Sequence, residues 1–268
     1  MNAIAIGPLY FAGDRLAAIL GIGAFLIVAA IVSRRFEGIS SAAFNALVIG
    51  VIAARLAHVA LHWSTFSDEP ERIVMIWQGG FALIPGLGAA AIALLLSLPR
   101  TGARIASLIA LLAGLFVWNL SVQLVATTDA IAAPESELAM LDGRTAAIGD
   151  FAGKPLVVNL WATWCPPCRR EMPMMTEMAA ARNDVVFVFA NQGEGPSQII
   201  RYFNDEGLSA EHVALDQSMA LARHYGVQGY PATLFIGPDG MLRSLHFGEI
   251  SREGLTDAIA RLSEGEKS

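Results

Sequence analysis

The feature that most constrains the fold of this chain is the length of the apolar stretches in its first half. Four stretches lie at residues 16–33, 43–63, 79–98 and 103–126. Each is long enough to cross a bilayer as a helix, which takes about 20 residues. The chain is 54% apolar and only 16% charged, a balance that excludes an ordinary soluble protein of this length. No positively charged segment precedes the first stretch, so we expect it to remain in the mature protein rather than to be removed as a signal peptide. The sequence therefore predicts an α-helical membrane domain with four transmembrane helices over residues 1–126.

The arginines of the first half predict the orientation of these helices. Arg34 and Arg35 lie between the first two stretches, and Arg100 and Arg104 flank the turn between the last two. Short loops rich in Lys and Arg stay in the cytoplasm, whereas the acidic segment STFSDEPERIVMIWQ is expected outside. With four spans, both termini and the second half of the chain then lie on the periplasmic or extracellular side of a bacterial cytoplasmic (inner) membrane.

Three ionisable residues, Arg55, His58 and His62, lie inside the second stretch or at its end. An ionisable group at membrane depth is costly and is therefore a candidate for function. The alternative is that the two histidines lie at the outer interface and that Arg55 pairs with a backbone carbonyl or extends towards the interface. The sequence leaves both interpretations open.

The segments AIGPLYFAGDRL, ARLAHV and VMIWQGGFALIPGLGAAAIALLL resemble the first half of prolipoprotein diacylglyceryl transferases. In that family a Gly-Gly pair is followed by a His-Gly pair considered necessary for activity, and later spans carry essential arginines. Here Ile84 and Pro85 stand at the positions of the His-Gly pair, and the later spans are missing. The resemblance implies a shortened relative that serves as a membrane anchor, with retained lipid chemistry as the alternative.

The second half of the chain alternates short apolar runs with helical stretches, which is typical of an α/β sheet. The polar segment TTDAIAAPESE predicts a solvated linker at 127–134 and an extracytoplasmic domain at 135–268. VVNL and VVFVFA are continuous runs that indicate strands covered on both faces, and GPDG indicates a hairpin turn. The predicted strands are 145–148, 156–161, 185–190, 212–215, 232–236 and 242–247, and the predicted helices are 166–181, 196–206, 217–225 and 251–263. This order predicts a thioredoxin-like fold.

Both cysteines of the chain, Cys165 and Cys168, lie in the segment WATWCPPCRREMP. Two cysteines are too few for a disulfide framework, and the five histidines show no metal-ligand spacing relative to them. We therefore predict a redox dithiol with no metal and no cofactor. Cys165 follows a strand and precedes a helix, where unpaired N–H groups and the helix dipole stabilise a thiolate. Cys168 lies one turn further on, within bonding distance, so the pair can open and close as a disulfide.

Charged and polar neighbours of the dithiol are candidates for handling its protons. Glu171 lies three residues after Cys168 on the same helical face and can exchange a proton with that thiol; the alternative is a carboxylate that only complements the helix dipole. Asn159 lies in the preceding strand and cannot act as a base, which leaves proton transfer to Glu171. Arg169 and Arg170 are interpreted as a solvated face, although an arginine near a thiolate would also lower its pKa.

Five residues around the dithiol are predicted to contact substrate. Pro166 and Pro167 are tolerated in the first helical turn and remove N–H groups that could bond to the Cys165 sulfur. Trp164 is expected at an exposed rim. Tyr230 and Pro231 open a strand, and in a thioredoxin-like layout their peptide bond is cis and offers a backbone edge to an extended substrate.

The segment NLWATWCPPCRREMP, together with Tyr230-Pro231 and the GPDG hairpin, resembles the TlpA/ResA type of membrane-anchored thioredoxin-like disulfide reductases, over about residues 135–265. Asn159 and Glu171 match that family as well. The resemblance implies a thiol-disulfide oxidoreductase that reduces extracytoplasmic client proteins, for example apocytochromes c. One departure is the anchor, because these relatives commonly have a single span.

Such a reductase needs electrons from the cytoplasmic side, and thiol exchange across a bilayer requires cysteines in the membrane, which this chain lacks. We therefore expect a separate transmembrane donor of the DsbD or CcdA kind. The net charge of −6 and the absence of a basic face argue against a nucleic-acid partner. Two alternatives remain: a peroxide-reducing redoxin with antioxidant activity, and a membrane scaffold whose dithiol senses redox state.

Overall fold

The computed structural model describes residues 3–6, 9–67, 70–125 and 131–264. The chain divides into two compact units. The helical unit comprises residues 11–127, and the sheet unit comprises residues 128–268 with the first ten residues. Each unit has the secondary structure that its sequence predicts, so the predicted fold class, a helical membrane domain with a thioredoxin-like α/β domain, is confirmed.

Long apolar helices make up most of the helical unit. Its described elements, with the short strands that precede it, are β1 (Ala3–Ile6), β2 (Leu9–Ala12), α1 (Gly13–Ser33), α2 (Ile39–Leu61), α3 (Trp63–Phe66), α4 (Leu83–Ser97) and α5 (Thr101–Val125). Within the described residues, three helices are long and apolar enough to cross a membrane by length and composition, at Arg15–Ser33, Ile39–Leu61 and Thr101–Leu124. The first, second and fourth predicted spans therefore correspond to helices of sufficient length.

The third predicted span, 79–98, is wrong in its length. Helix α4 begins only at Leu83 and has 15 residues, or about 22 Å, against about 30 Å for the apolar core of a bilayer. Residues 76–78 form a separate 3₁₀ turn, and Gly79 and Gly80 have positive φ angles of 82° and 79°. A right-handed helix cannot pass through two such residues, so the apolar pattern extends further than the helix does.

Glycines bring the helices of this unit into close contact. A Cβ atom added to Gly114 of α5 would lie 2.7 Å from Phe25 Cβ and 2.8 Å from the carbonyl oxygen of Gly21 on α1. A Cβ atom added to Gly86 of α4 would lie 2.9 Å from the carbonyl oxygen of Gly50 on α2. Small residues at helix crossings let backbones approach closely, which is how helices associate where lipid removes the hydrophobic driving force.

Arg55 of α2 is buried and bonds to backbone carbonyls, as one of the two sequence interpretations expects. The distances are 2.6 Å to Arg72 O, 3.0 Å to Ile73 O, 2.7 Å to Gly79 O and 3.0 Å to Gly80 O. These contacts bind carbonyl groups of a segment built from two short 3₁₀ turns, Pro70–Val74 and Ile76–Gln78, and the two glycines that follow them. Arg55 therefore fastens the connection between α3 and α4 against α2.

The sheet unit is a twisted sheet covered by helices on both faces. Its described elements are β3 (Leu138–Met140), β4 (Thr145–Ala146), β5 (Leu156–Trp161), α6 (Pro166–Ala181), β6 (Val186–Gln192), α7 (Pro196–Asp205), β7 (Val213–Asp216), α8 (Ala220–His224), β8 (Ala232–Ile236), β9 (Leu242–Phe247) and α9 (Arg252–Glu264). Over residues 131–264 the strand order is β4-β3-β7-β6-β5-β8-β9, with β5 parallel to β6 and β6 parallel to β7. Val157 packs on the face that carries α6 and α9, and Val158 packs on the face that carries α8. The prediction that VVNL is covered on both faces is confirmed.

The predicted elements differ from the observed ones mainly at the sheet edge. Residues 145–148 were expected as one strand, but a 3₁₀ turn begins at Ile148, where the Asp150 carboxylate accepts a hydrogen bond from Ala147 N at 2.8 Å. The helix expected at 217–225 begins at Ala220, because the buried Asp216 carboxylate caps the N–H groups of Ala220 and Leu221. In both places an aspartate side chain, rather than the apolar pattern, determines where the element begins.

The predicted solvated linker, 127–134, falls partly outside the described residues. Residues 131–133 are described and bond to the β8–β9 hairpin, with Ala133 N donating to Gly240 O at 2.8 Å and Leu242 N donating to Ile131 O at 2.9 Å. This part of the chain belongs to the sheet edge and is not a solvated tether.

Candidate active site

The two cysteines form a disulfide at the N-terminus of α6. The Sγ atoms are 2.07 Å apart and the Cα atoms 5.3 Å apart. Cys165 occupies the N-cap position of the helix, which follows β5 after a short turn. Cys165 keeps 3% of its surface exposed and Cys168 none, so Cys165 is the more accessible of the two residues. The predicted proximity of the two cysteines is confirmed.

Pro166 and Pro167 determine which backbone N–H reaches the Cys165 sulfur. They are the first two residues of α6, as the sequence predicts, and neither has an N–H group. The next N–H group, that of Cys168, donates to Cys165 Sγ at 3.3 Å. The helix N-terminus therefore offers a hydrogen bond to Cys165 Sγ from a single amide, in addition to the field of the helix dipole.

Glu171 is a buried acid one turn after Cys168, with 2% of its surface exposed. Its Oε1 accepts a hydrogen bond from Asn159 Nδ2 at 2.8 Å, and its Oε2 accepts one from Ile250 N at 2.9 Å. Burial raises the pKa of Glu171 to about 8, although the hydrogen bonds from Ile250 and Asn159 oppose this rise. At neutral pH the carboxyl therefore holds a proton, which distinguishes it from a surface acid that complements a helix dipole.

Asn159 joins Glu171 to the sheet, a contact that the sequence did not predict. It lies on β5 directly opposite Thr233 of β8, and its Nδ2 group also approaches Thr233 Oγ1 at 3.4 Å. Because an amide is neutral at every pH of interest, Asn159 orients the carboxyl of Glu171 without competing for its proton.

Aromatic side chains form the rim of the site. Trp164 is 66% exposed, as predicted, and its ring centroid lies 6.4 Å from that of Tyr230 in an edge-to-face arrangement. The Tyr230-Pro231 bond is cis, which confirms the expected isomer, and β8 begins directly after it. The structure thus brings Trp164 and Tyr230 together, and their role in binding substrate remains a prediction.

Glu194 is a second buried acid near the cysteines, and the motifs of the sequence did not single it out. Its carboxylate accepts hydrogen bonds from Thr163 N at 2.7 Å and from Asn191 Nδ2 at 2.7 Å. Thr163 lies two residues before Cys165, so Glu194 holds the turn that carries Cys165. Polar residues at the end of VVFVFANQGE, at the same edge of the sheet as WATWC, are the signal that could have identified it.

The interpretation of Arg169 and Arg170 as a solvated face needs correction. Both side chains are about half exposed, but each forms an ion pair. Arg169 bonds to Glu206 at the end of α7, whereas Arg170 bonds through both Nε and Nη2 to Oε2 of the buried Glu249, at 2.9 Å and 2.6 Å. Arg170 therefore has a structural partner in the turn before α9.

Among the described residues, no three His, Cys, Asp or Glu side chains are grouped so that they could hold a metal ion.

Comparisons with known proteins match the two halves of the chain separately. The family model described as Redoxin matches residues 128–261, and the model described as Prolipoprotein diacylglyceryl transferase matches residues 3–123. These matches confirm both resemblances that the sequence motifs indicate.

Individual relatives match the second half of the chain. The thioredoxin-like protein YneN of Bacillus subtilis (strain 168) is 30% identical over 159 residues, which cover 57% of this chain and 93% of the relative. The thiol-disulfide oxidoreductase ResA of Geobacillus thermodenitrificans (strain NG80-2) is 30% identical over 125 residues, covering 46% of this chain and 71% of the relative. A crystal structure of a putative thiol:disulfide interchange protein DsbE from Chlorobium tepidum is 26% identical, with a TM-score of 0.46 and coverage of 50% of this chain and 97% of that one.

Proposed function

Because the chain belongs to the redoxin family, we propose that it reduces disulfide bonds of client proteins outside the cytoplasm. Its activity as a thiol-disulfide oxidoreductase, predicted from the CPPC motif, agrees with the names of its relatives. The observation that carries the proposal is the Cys165–Cys168 disulfide at a helix N-terminus beside the buried carboxyl of Glu171. We propose apocytochromes c as one example of such a client.

The reaction starts from the dithiol form. The Cys165 thiolate attacks one sulfur of a client disulfide, the client S–S bond breaks, and the first client thiolate leaves as a mixed disulfide forms on Cys165. The Cys168 thiol then gives up its proton and attacks Cys165 Sγ. This step releases the second client thiolate and leaves the Cys165–Cys168 disulfide, so two electrons pass from the protein to the client.

Glu171 is suited to move the proton in the second step. A group exchanges protons efficiently when its pKa lies close to that of its partner, and a free thiol has a pKa of about 8.5. Burial brings the pKa of Glu171 to about 8, within reach of that value. We assign to the ionised form of Glu171, which is the minor form at neutral pH, the removal of the Cys168 proton and the delivery of that proton to the departing client sulfur.

The exposed rim is the proposed site of client docking. Trp164 and Tyr230 offer two neighbouring aromatic faces beside the more accessible cysteine, and aromatic residues are common contacts in protein interfaces. Pro231 lies next to Tyr230, and Pro166 and Pro167 lie next to Cys165. We include all five in the client-binding surface.

The helical unit is proposed to anchor the enzyme. We propose a membrane domain at 1–126 and a domain at 135–268 on the periplasmic or extracellular side, joined by a linker whose last part, 131–133, bonds to the β8–β9 hairpin. The arginine distribution supports this orientation. Both cysteines lie in the second half of the chain, so we propose that a separate membrane protein of the DsbD or CcdA kind supplies the electrons.

The test uses the full chain in detergent, reduced beforehand with dithiothreitol. We expect it to reduce insulin disulfides and to turn over hydrogen peroxide poorly, and the Cys168→Ala variant should accumulate a mixed disulfide with the client. The Cys165→Ala variant is the matched control and should trap none. Preferential turnover of peroxide would favour the antioxidant alternative, and inactivity towards both substrates would refute the proposed reaction.

A further inference from the structure

An ion pair lies next to the proton-carrying acid without belonging to the reacting groups. Arg170 of α6 bonds through Nε and Nη2 to Glu249, which follows β9. The arginine side chain is half exposed, but Glu249 keeps only 6% of its surface exposed. A carboxylate buried to this degree is costly unless a cation neutralises it, so the two charges depend on each other.

One partner of this pair is next in sequence to Glu171, and the other is next in sequence to a residue that binds the Glu171 carboxyl. Arg170 directly precedes Glu171 on α6. Glu249 directly precedes Ile250, whose N–H group donates to Glu171 Oε2 at 2.9 Å. The ion pair and the hydrogen bond from Ile250 N to Glu171 are therefore two adjacent links between α6 and the turn before α9.

The polar surroundings of Glu171 make this pair its main charged influence. The carboxyl of Glu171 accepts hydrogen bonds from two uncharged groups, the side-chain amide of Asn159 on β5 and the N–H group of Ile250 in the turn before α9. The same amide also approaches Thr233 of β8. Of the charged groups, Glu249 raises the pKa of Glu171 and Arg170 lowers it. His246 of β9 contacts the backbone carbonyl of Glu249 through Nε2 at 3.4 Å, so it is the titratable side chain that faces the pair from β9.

We propose that Arg170 and Glu249 are positioning residues whose balanced charges set the pH range in which Glu171 gives and takes its proton. This inference rests on the proton-transfer role given to Glu171 in the proposed function. Removing one charge should uncover the other. Without Glu249 the unpaired arginine favours the carboxylate, and without Arg170 the unpaired buried glutamate disfavours it.

The experiment follows the protonation of Glu171 directly in the oxidised full chain in detergent, which requires no turnover. Infrared titration monitors the band of the protonated carboxyl, assigned to Glu171 by its loss in the Glu171→Gln variant. We expect Glu249→Gln to lower the midpoint and Arg170→Met to raise it, each by about half a pH unit or more. The double variant with both Arg170→Met and Glu249→Gln, and the single variant Arg170→Lys, should each have a midpoint close to that of the wild type.

The opposite directions of the two midpoint shifts distinguish an effect of charge balance from a general loosening of the structure. If the pair only held the turn in place, both single variants would weaken the bond from Ile250 N, and both midpoints would rise. Equal directions, or unchanged midpoints, would overturn the inference. The control pair is Arg169→Met and Glu206→Gln, which breaks the neighbouring ion pair on the same helix and should leave the midpoint unchanged.

A second readout keeps this test separate from that of the proposed function. The pH profile of insulin reduction should move in the same directions as the infrared midpoints. A chain that reduces no disulfide at any pH, but whose midpoints shift as expected, would refute the proposed reaction and keep the charge balance. Glu249→Gln is nearly isosteric and retains an acceptor for Arg170, so this variant tests the inference even if Arg170→Met folds poorly.

Discussion

Replacing Glu171 by Gln should make the protein less stable than the wild type in acid and more stable than the wild type in alkali. In the wild-type protein, burial raises the pKa of Glu171 from its ordinary 4.5 to about 8. The folded state therefore binds this proton more tightly than the unfolded state does. The stability that follows is fully present below pH 4.5 and is lost as the pH rises through about 8.

The size of the effect follows from the difference between the two pKa values. That difference is about 3.5, and at about 1.4 kcal/mol for each unit of pH it corresponds to a loss of about 5 kcal/mol as an order of magnitude. A glutamine does not titrate, so the variant lacks this loss. Its amide can accept only one of the two hydrogen bonds from Asn159 and Ile250, which costs about 1–3 kcal/mol at every pH. The variant should therefore be less stable than the wild type near pH 4.5 and more stable by about 2–4 kcal/mol near pH 9.

The assay is urea unfolding of the oxidised full chain in detergent, followed by near-ultraviolet circular dichroism between pH 4.5 and 9. The disulfide form is used because its cysteines do not titrate. Glu177→Gln on the same helix is the control, since that carboxylate is 67% exposed and pairs with Arg252, and its stability difference from wild type should stay nearly constant with pH. A constant difference for Glu171→Gln as well would mean that Glu171 is ionised when buried, which would refute the reasoning.

Three further predictions concern other parts of the chain. Asn159→Asp places a second carboxyl at 2.8 Å from the first, so one of the two should hold its proton to higher pH and insulin reduction at pH 7 should slow; an unchanged pH profile would contradict this. Glu194→Gln weakens the acceptor for Thr163 N and should lower the free energy of unfolding by about 1–3 kcal/mol in urea, and a loss below about 0.5 kcal/mol would show that the turn does not depend on that carboxylate. Gly114→Ala should disrupt the contact between α1 and α5 and lower the melting temperature in detergent, whereas Gly23→Ala, whose Cβ would meet nothing within 4 Å, should not; equal melting temperatures would argue against the close crossing.

Local chemistry made the dithiol predictable from the sequence. Cys165 and Cys168 are three residues apart at the start of a helix, and that spacing alone places them within reach of each other. Pro166 and Pro167 fit only the first helical turn, so they mark where α6 begins. The apolar runs of the strands and the long helices follow from periodicity and length in the same way.

Contacts between distant segments were not predictable in this way. Glu194 lies 31 residues from Thr163, and Glu249 lies 79 residues from Arg170. Nothing local distinguishes Glu249 from a surface acid, and the only signal for Glu194 is its place at the sheet edge that also carries WATWC. The short helix α4 was mispredicted for a related reason, since Gly79 and Gly80 leave the helical conformation where Arg55, distant in sequence, bonds to their carbonyls.

The sequence by itself determined the two halves of this protein and the helix that carries the cysteines, because each depends on length or spacing within an element or on a motif that the family shares. The hydrogen bond between Asn159 and Glu171 joins a strand to a helix and was decided by the fold. Only the tertiary structure decided how deeply Glu171 is buried and which charges surround it. A pKa depends on desolvation and on neighbours brought together by strand register and helix packing, and these contacts exist only once the chain has folded.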